Sequence, residues 1–269
     1  MRCAVAQSDL QLIDRLDRMP VFFVGHGSPL NAVEDNEFSR AWTEMARPLS
    51  TPEAILCISA HWETDSCQVT AMERPRTIYD FYGFPAELYE VTYPAPGAPQ
   101  LALLVQELVR SQQVRLDYAW GLDHGAWSVL SRFYPQAQIP VVQLSLDRNL
   151  SAQAHYDLGR ELRPLRHKGV LVMGSGNIVH NLQLVTWQDT AYDWAHEFND
   201  TLRRLILARD HQAIIDYREL DQAGLAVPTP EHFLPLLYAL AMQEDGDAIS
   251  FFAEKLTLGA ISMRSLRIG

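Results

Sequence analysis

Apolar residues along this chain gather in short runs, and the runs alternate with stretches that repeat every three to four positions. The runs at 21–24, 54–60, 139–146 and 170–173 read as buried strands, and 68–72 as a shorter neighbouring strand. Between them, 36–47 places Phe38, Trp42 and Met45 on one helical face, and 101–111 and 151–166 read as further helices, the last capped by Ser151. Helices are expected at 189–208 and 211–217, and Thr229-Pro230 reads as the start of another. Two strand candidates, 248–253 and 260–266, close the chain. This alternation predicts an α/β fold: a single domain with a central, largely parallel mixed sheet covered by helices. Residues 1–18 are polar and read as an N-terminal extension, with the domain proper at 19–269. The stretch 73–97 is a long loop rich in Pro, Tyr and Phe, and loops of that length inside a domain are usually functional.

Three of the strand-like runs end in small residues and then a histidine. They reach His26 through Gly25, His61 through Ser59-Ala60, and His180 through Gly174-Ser175-Gly176-Asn177. In an open α/β sheet, ligands bind beyond the carboxyl ends of the strands. Three imidazoles at that place predict a metal or acid–base site there, although each alone reads equally as a structural histidine. The glycines around His26 lack the Lys-Ser/Thr tail of a phosphate loop, and Gly174-Ser175-Gly176 lacks the third glycine of a dinucleotide turn. The second group reads as a tight turn that carries His180 back over the sheet edge, with Asn181 beside it to orient the ring.

His124 lies in Trp120-Gly121-Leu122-Asp123-His124-Gly125-Ala126-Trp127. It reads either as a helix start capped by Asp123 or as a polar group offered to a flat substrate. His232 and Glu231 are both candidate metal ligands, but Glu231 is equally suited to favour a helix N-terminus. Trp62 is placed to wall a pocket for an aromatic ligand, and Tyr79, Phe81, Tyr82 and Phe84 either flank such a ring or pack a core. His155, His167, His196 and His211 fall on polar helical stretches and are assigned to the surface. Cys57 reads as inert packing in a buried strand.

Composition narrows the partners. The 269 residues carry a formal charge of -11 and no basic run, which argues against nucleic acid. No uninterrupted apolar stretch approaches the ~20 residues of a membrane span. Three cysteines without paired spacing argue against a disulfide framework, so the expected compartment is the cytoplasm. There is no His-Glu-x-x-His and no Cys-x-x-Cys.

Six motifs occur in order: Gly25-His26-Gly27-Ser28-Pro29, Ser59-Ala60-His61-Trp62, Tyr93-Pro94-Ala95-Pro96-Gly97, Trp120-Gly121-Leu122-Asp123-His124-Gly125, Ser175-Gly176-Asn177-Ile178-Val179-His180-Asn181 and Pro228-Thr229-Pro230-Glu231-His232. Together they resemble the DOPA extradiol dioxygenase family of class III ring-cleavage enzymes, over residues 19–269. The resemblance implies a catechol opened beside its hydroxyls, with both atoms of O2 incorporated. It implies one divalent metal held by His26, His61 and His232. It implies His180 as acid–base residue or fourth ligand, and His124 in the same pocket. Fe(II) is expected for oxygen chemistry and Zn(II) in purified protein, since zinc binds nitrogen ligands more tightly. A zinc hydrolase and a non-enzymatic binding protein on the same fold are the competing expectations. Oligomeric state is not legible.

Overall fold

The computed structural model describes residue 12, residues 17–188 and residues 190–269; the extension expected over 1–18 lies almost wholly outside them. In chain order the first elements are β1 (Val21–Gly25), α1 (Glu37–Ala46), β2 (Ala54–Thr64), β3 (Gln68–Thr70), α2 (Pro99–Leu108) and β4 (Arg115–Asp117). Then come α3 (His124–Phe133), β5 (Val141–Asp147), α4 (Ala152–Glu161), β6 (Val170–Gly176), α5 (Asp193–Ala208) and α6 (His211–Ile215). The chain closes with α7 (Ala223–Ala226), α8 (Leu234–Ala241), β7 (Ile249–Phe252), β8 (Leu256–Thr257), β9 (Ile261–Ser262) and β10 (Ser265–Ile268).

Eight strands form one sheet in the order β4-β3-β5-β2-β6-β1-β10-β7. The centre, β5-β2-β6-β1, is parallel, while β3, β10 and β7 each join antiparallel. Alternate side chains face opposite ways along each strand, so each strand feeds two cores. Val21, Phe23, Leu56, Ile58 and Val172 face the layer of α2, α4, α5 and α8. Phe22, Val24, Ile55, Cys57 and Met173 face Trp42 of α1 and Trp127 of α3. All eight residues of α8 are buried, which is why that helix shows no polar stripe. The single α/β domain with a largely parallel mixed sheet is therefore the fold expected.

Details differ. β2 continues through His61 to Thr64, with a break in its register against β5 between Ile58 and Glu63. The last expected strand is two, β9 and β10, separated by Met263-Arg264. Thr229-Pro230 does not start α8, which begins at Leu234 with Pro235 in its first turn. The Thr229 hydroxyl donates instead to Glu231. His155 is not on the surface: it is fully buried, with Nδ1 2.9 Å from the Tyr238 hydroxyl of α8. It shares the stripe of Leu158, Gly159 and Leu162, and at Gly159 the two helices pack so closely that an added Cβ would meet Ala241 Cβ at 2.8 Å. His196 is exposed, whereas His211 is half-buried against Tyr156 and Gln243. Among the described residues no helix is long and apolar enough to cross a membrane.

Candidate metal and acid–base site

Adjacent parallel strands end in register, with Gly25 opposite Gly176 and Ser59 opposite Ser175. The chain leaves β1 at His26, whose amide donates to the Gly176 carbonyl at 3.1 Å. Its Nδ1 lies 2.9 Å from Ser175 Oγ, and that hydroxyl donates its proton to the Gly125 carbonyl at 2.6 Å. Ser175 has one proton and has given it away, so the His26 Nδ1–H must be the donor. The lone pair therefore sits on Nε2, 3.0 Å from Nε2 of His61.

His61 is anchored in a similar way. Its Nδ1 is 3.3 Å from Oδ2 of Asp80, a carboxylate oxygen that only accepts. His232, in the loop before α8, has Nδ1 3.2 Å from Oε1 of Glu231. Its Nε2 is buried with no hydrogen-bond partner. Glu231 thus serves the imidazole rather than a helix N-terminus. Gly174 and Gly176 lie within β6 and not in a turn, and their role is close approach. A Cβ at Gly176 would overlap the His232 carbonyl, and one at Gly174 would overlap the Pro235 carbonyl. The amide of Asn177 holds the same His232 carbonyl at 2.8 Å.

His180 follows β6, and its ring stacks on His232 at 3.5 Å and 8°. Asn181 does not orient that ring: its side chain accepts from the Gln183 amide and donates to the Leu225 carbonyl. His124 opens α3, which Asp123 caps by accepting from the Ala126 amide. The capped helix start is as expected, and it places the His124 ring 3.9 Å from that of His61. Nitrogens of His26, His61 and His124 lie within 4.8 Å of one another, as do the donor atoms of His180, Glu231 and His232. His232 joins the two groups, with ring centres 5.2 Å from His26 and 5.0 Å from His61.

Burial controls the charge of these rings. It holds His26 and His232 far below the ordinary imidazole range, and the neighbouring imidazoles add to the effect. Burial, then His124, pushes His61 down to about 3, against the opposing pull of Asp80. Burial pushes His180 down to about 4, against the pull of Glu231. At neutral pH His26, His61, His180 and His232 are uncharged nitrogen donors, the form in which histidine binds a divalent metal. The unpartnered Nε2 of His232 and the facing Nε2 pair of His26 and His61 fit such an ion.

Trp62 is buried, and its ring stacks on Trp120 at 5.6 Å rather than on an imidazole. From the 73–97 loop, Phe81 meets the edge of His124 at 5.5 Å, while Tyr82 stands 92% exposed. The sequence reading missed Asp80. The available signal was a lone carboxylate among Tyr79, Phe81, Tyr82 and Phe84 in a loop already marked as functional.

An imidazole cluster at the carboxyl edge of a parallel sheet defines a metal-binding α/β enzyme. Residues 20–263 match the family described as the catalytic LigB subunit of aromatic ring-opening dioxygenase. The chain belongs to that family and is a ring-cleaving extradiol dioxygenase that uses a metal and acts on a small aromatic substrate with O2. It is 44% identical to 4,5-DOPA dioxygenase extradiol of Escherichia coli, over 94% of this chain and 95% of that one. It is 41% identical to 4,5-DOPA dioxygenase extradiol of Beta vulgaris, over 81% and 85%. A crystal structure of an Escherichia coli K12 protein called uncharacterized superposes with a TM-score of 0.83, at 41% identity, covering 94% of this chain and all of that one.

Proposed function

We propose that this dioxygenase opens a catechol such as DOPA to a muconic semialdehyde. The 4,5-DOPA dioxygenases of Escherichia coli and Beta vulgaris support that substrate class. The observation that carries the site assignment is the shared pattern at His26, His61 and His232. Each has Nδ1 at an oxygen partner, and Nε2 is turned to another imidazole or left unpartnered. These three residues hold the metal. Bound there, a divalent ion lowers the pKa of catechol hydroxyls and brings O2 within reach of the ring. Fe(II) is the ion for oxygen chemistry, and Zn(II) competes for the same nitrogens.

His180 is the acid–base residue. Kept neutral by burial, it is ready to accept a catechol proton and to return it on ring opening. Its ring lies flat on His232, so the acid–base group and a ligand move together. His124 lies beside His61 with Phe81 against its edge, and its role is to face the substrate. Trp62 is stacked on Trp120. The test is oxygen uptake by Fe(II)-loaded enzyme with DOPA, followed together with the yellow semialdehyde-derived product. Neither signal across a panel of catechols would overturn the substrate class.

A further inference from the structure

Asp80 sits on the 73–97 loop, far in sequence from the imidazoles it meets. Its Oδ1 accepts the backbone amide of His124 at 2.9 Å. Its Oδ2 lies 3.3 Å from Nδ1 of His61 and 3.0 Å from Nδ1 of His124, charge contacts in which neither nitrogen is aligned for a hydrogen bond and the buried His124 Nδ1 has no other partner. The loop that presents it is itself fastened down. The Trp127 indole donates to the Ile78 carbonyl at 2.8 Å, the Ile78 amide donates to the Leu122 carbonyl at 2.7 Å, and the Tyr79 hydroxyl holds the Val91 carbonyl at 2.8 Å. The two carboxylate oxygens therefore divide their work: one anchors the loop to the start of α3, and the other faces two imidazoles.

We propose that Asp80 is a positioning residue, whose Oδ2 holds the Nδ1–H tautomer on both His61 and His124 and so turns both Nε2 atoms toward the metal and substrate. The inference rests on the metal role given above to His61. A carboxylate oxygen this close repels a ring lone pair and attracts an N–H, so each ring beside Oδ2 is favoured with its proton on Nδ1 and its lone pair on Nε2. A partner of this kind fixes ring orientation and raises ligand basicity, and removing it usually weakens metal binding 10–100-fold. Sharing one oxygen between a ligand and its neighbour also ties the aim of His124 to that of His61. Phe81 follows Asp80 directly and covers the His124 edge, so the same loop fixes the ring and shields it.

Asp80→Asn separates the two oxygens. The asparagine carbonyl can keep the His124 amide, while the NH2 group cannot accept from either imidazole. Competition with a chromophoric chelator should show zinc binding weakened about 10–100-fold, with the melting temperature of the metal-free protein little changed. Asp80→Glu, which restores a carboxylate, should recover part of the affinity. Zinc affinity within twofold of wild type in Asp80→Asn would overturn the proposal. Zinc binding that survives His61→Ala would instead overturn the site assignment, so the two failures are distinct. Should Asp80→Asn not fold, 15N spectra of the zinc-loaded wild-type protein decide: an Nε2-protonated His61 or His124 would overturn the proposal.

Discussion

Nε2 of His26 faces Nε2 of His61 at 3.0 Å, with the His26 proton set on Nδ1 by Ser175 and the His61 Nδ1 lying 3.3 Å from the Asp80 carboxylate. Two lone pairs at that distance repel each other unless a cation lies between them. With the Nδ1–H tautomer proposed for His61, the pair is a ready seat for a cation, which would relieve that repulsion.

Metal should stabilise the protein by mass action. An ion at 100 times its Kd adds about 2.7 kcal/mol, so the melting temperature should rise on adding Zn2+ to metal-free protein. In His61→Ala this rise should vanish, and elemental analysis should find the metal largely lost. Full occupancy of that variant would contradict the ligand assignment.

Substitution of His180 separates proton transfer from metal binding. His180→Gln should keep the metal and lose roughly 10²–10⁴-fold in turnover, the usual weight of general acid–base catalysis. Metal content and turnover measured on one preparation check this. A parallel fall in metal affinity would make His180 a fourth ligand.

Gly176→Ala should injure the site from a distance. The added Cβ overlaps the His232 carbonyl, which the Asn177 amide also holds. Overpacking of this kind costs about 1–3 kcal/mol, and here it moves a ligand loop. Metal affinity should drop while far-ultraviolet circular dichroism stays near wild type; unchanged affinity would show that the loop yields without moving His232.

Acid should destabilise the metal-free protein in two windows. His155 and His180 are pushed down to about 4 by burial, so the unfolded chain takes up their protons first as pH falls. Stability that is full above the unfolded imidazole value of ~6.5 is lost as pH drops toward those folded values. Asp247 behaves as a depressed carboxylate. Burial opposes its ionisation, but hydrogen bonds from Arg166 and the Glu244 amide hold it down to about 2. Its contribution is present above the unfolded value of ~3.9 and is lost as pH falls toward about 2. Asp247→Asn should cost about 3 kcal/mol at neutral pH, because fully buried Arg166 loses its partner. Urea unfolding from pH 7 to about pH 2 reads both windows, and a flat profile between about pH 6.5 and 4 would refute the first.

The sequence by itself determined the parallel core of the sheet and the capped start of α3, and it marked the histidines that the fold brings together at one edge. Those features are local: an apolar run, an Asp three residues before the amide it caps, and a histidine that follows an apolar run and its small residues. Periodicity and spacing carry such information without knowledge of any distant residue. The stripe that buries His155 was also present, as 155, 158, 159 and 162, but its polar neighbours concealed it until α8 was in place. Tertiary structure alone decided the chemistry of the rings. The proton on His26 is set by Ser175 and Gly125, the Nδ1 of His61 is brought to the Asp80 carboxylate, and the close approach of His232 is allowed by the missing Cβ of Gly176. Each of these contacts joins segments far apart in the chain. They exist only because strand register brings Gly25, Ser59 and Ser175 to one edge, where burial then favours the uncharged form of His26, His61, His180 and His232.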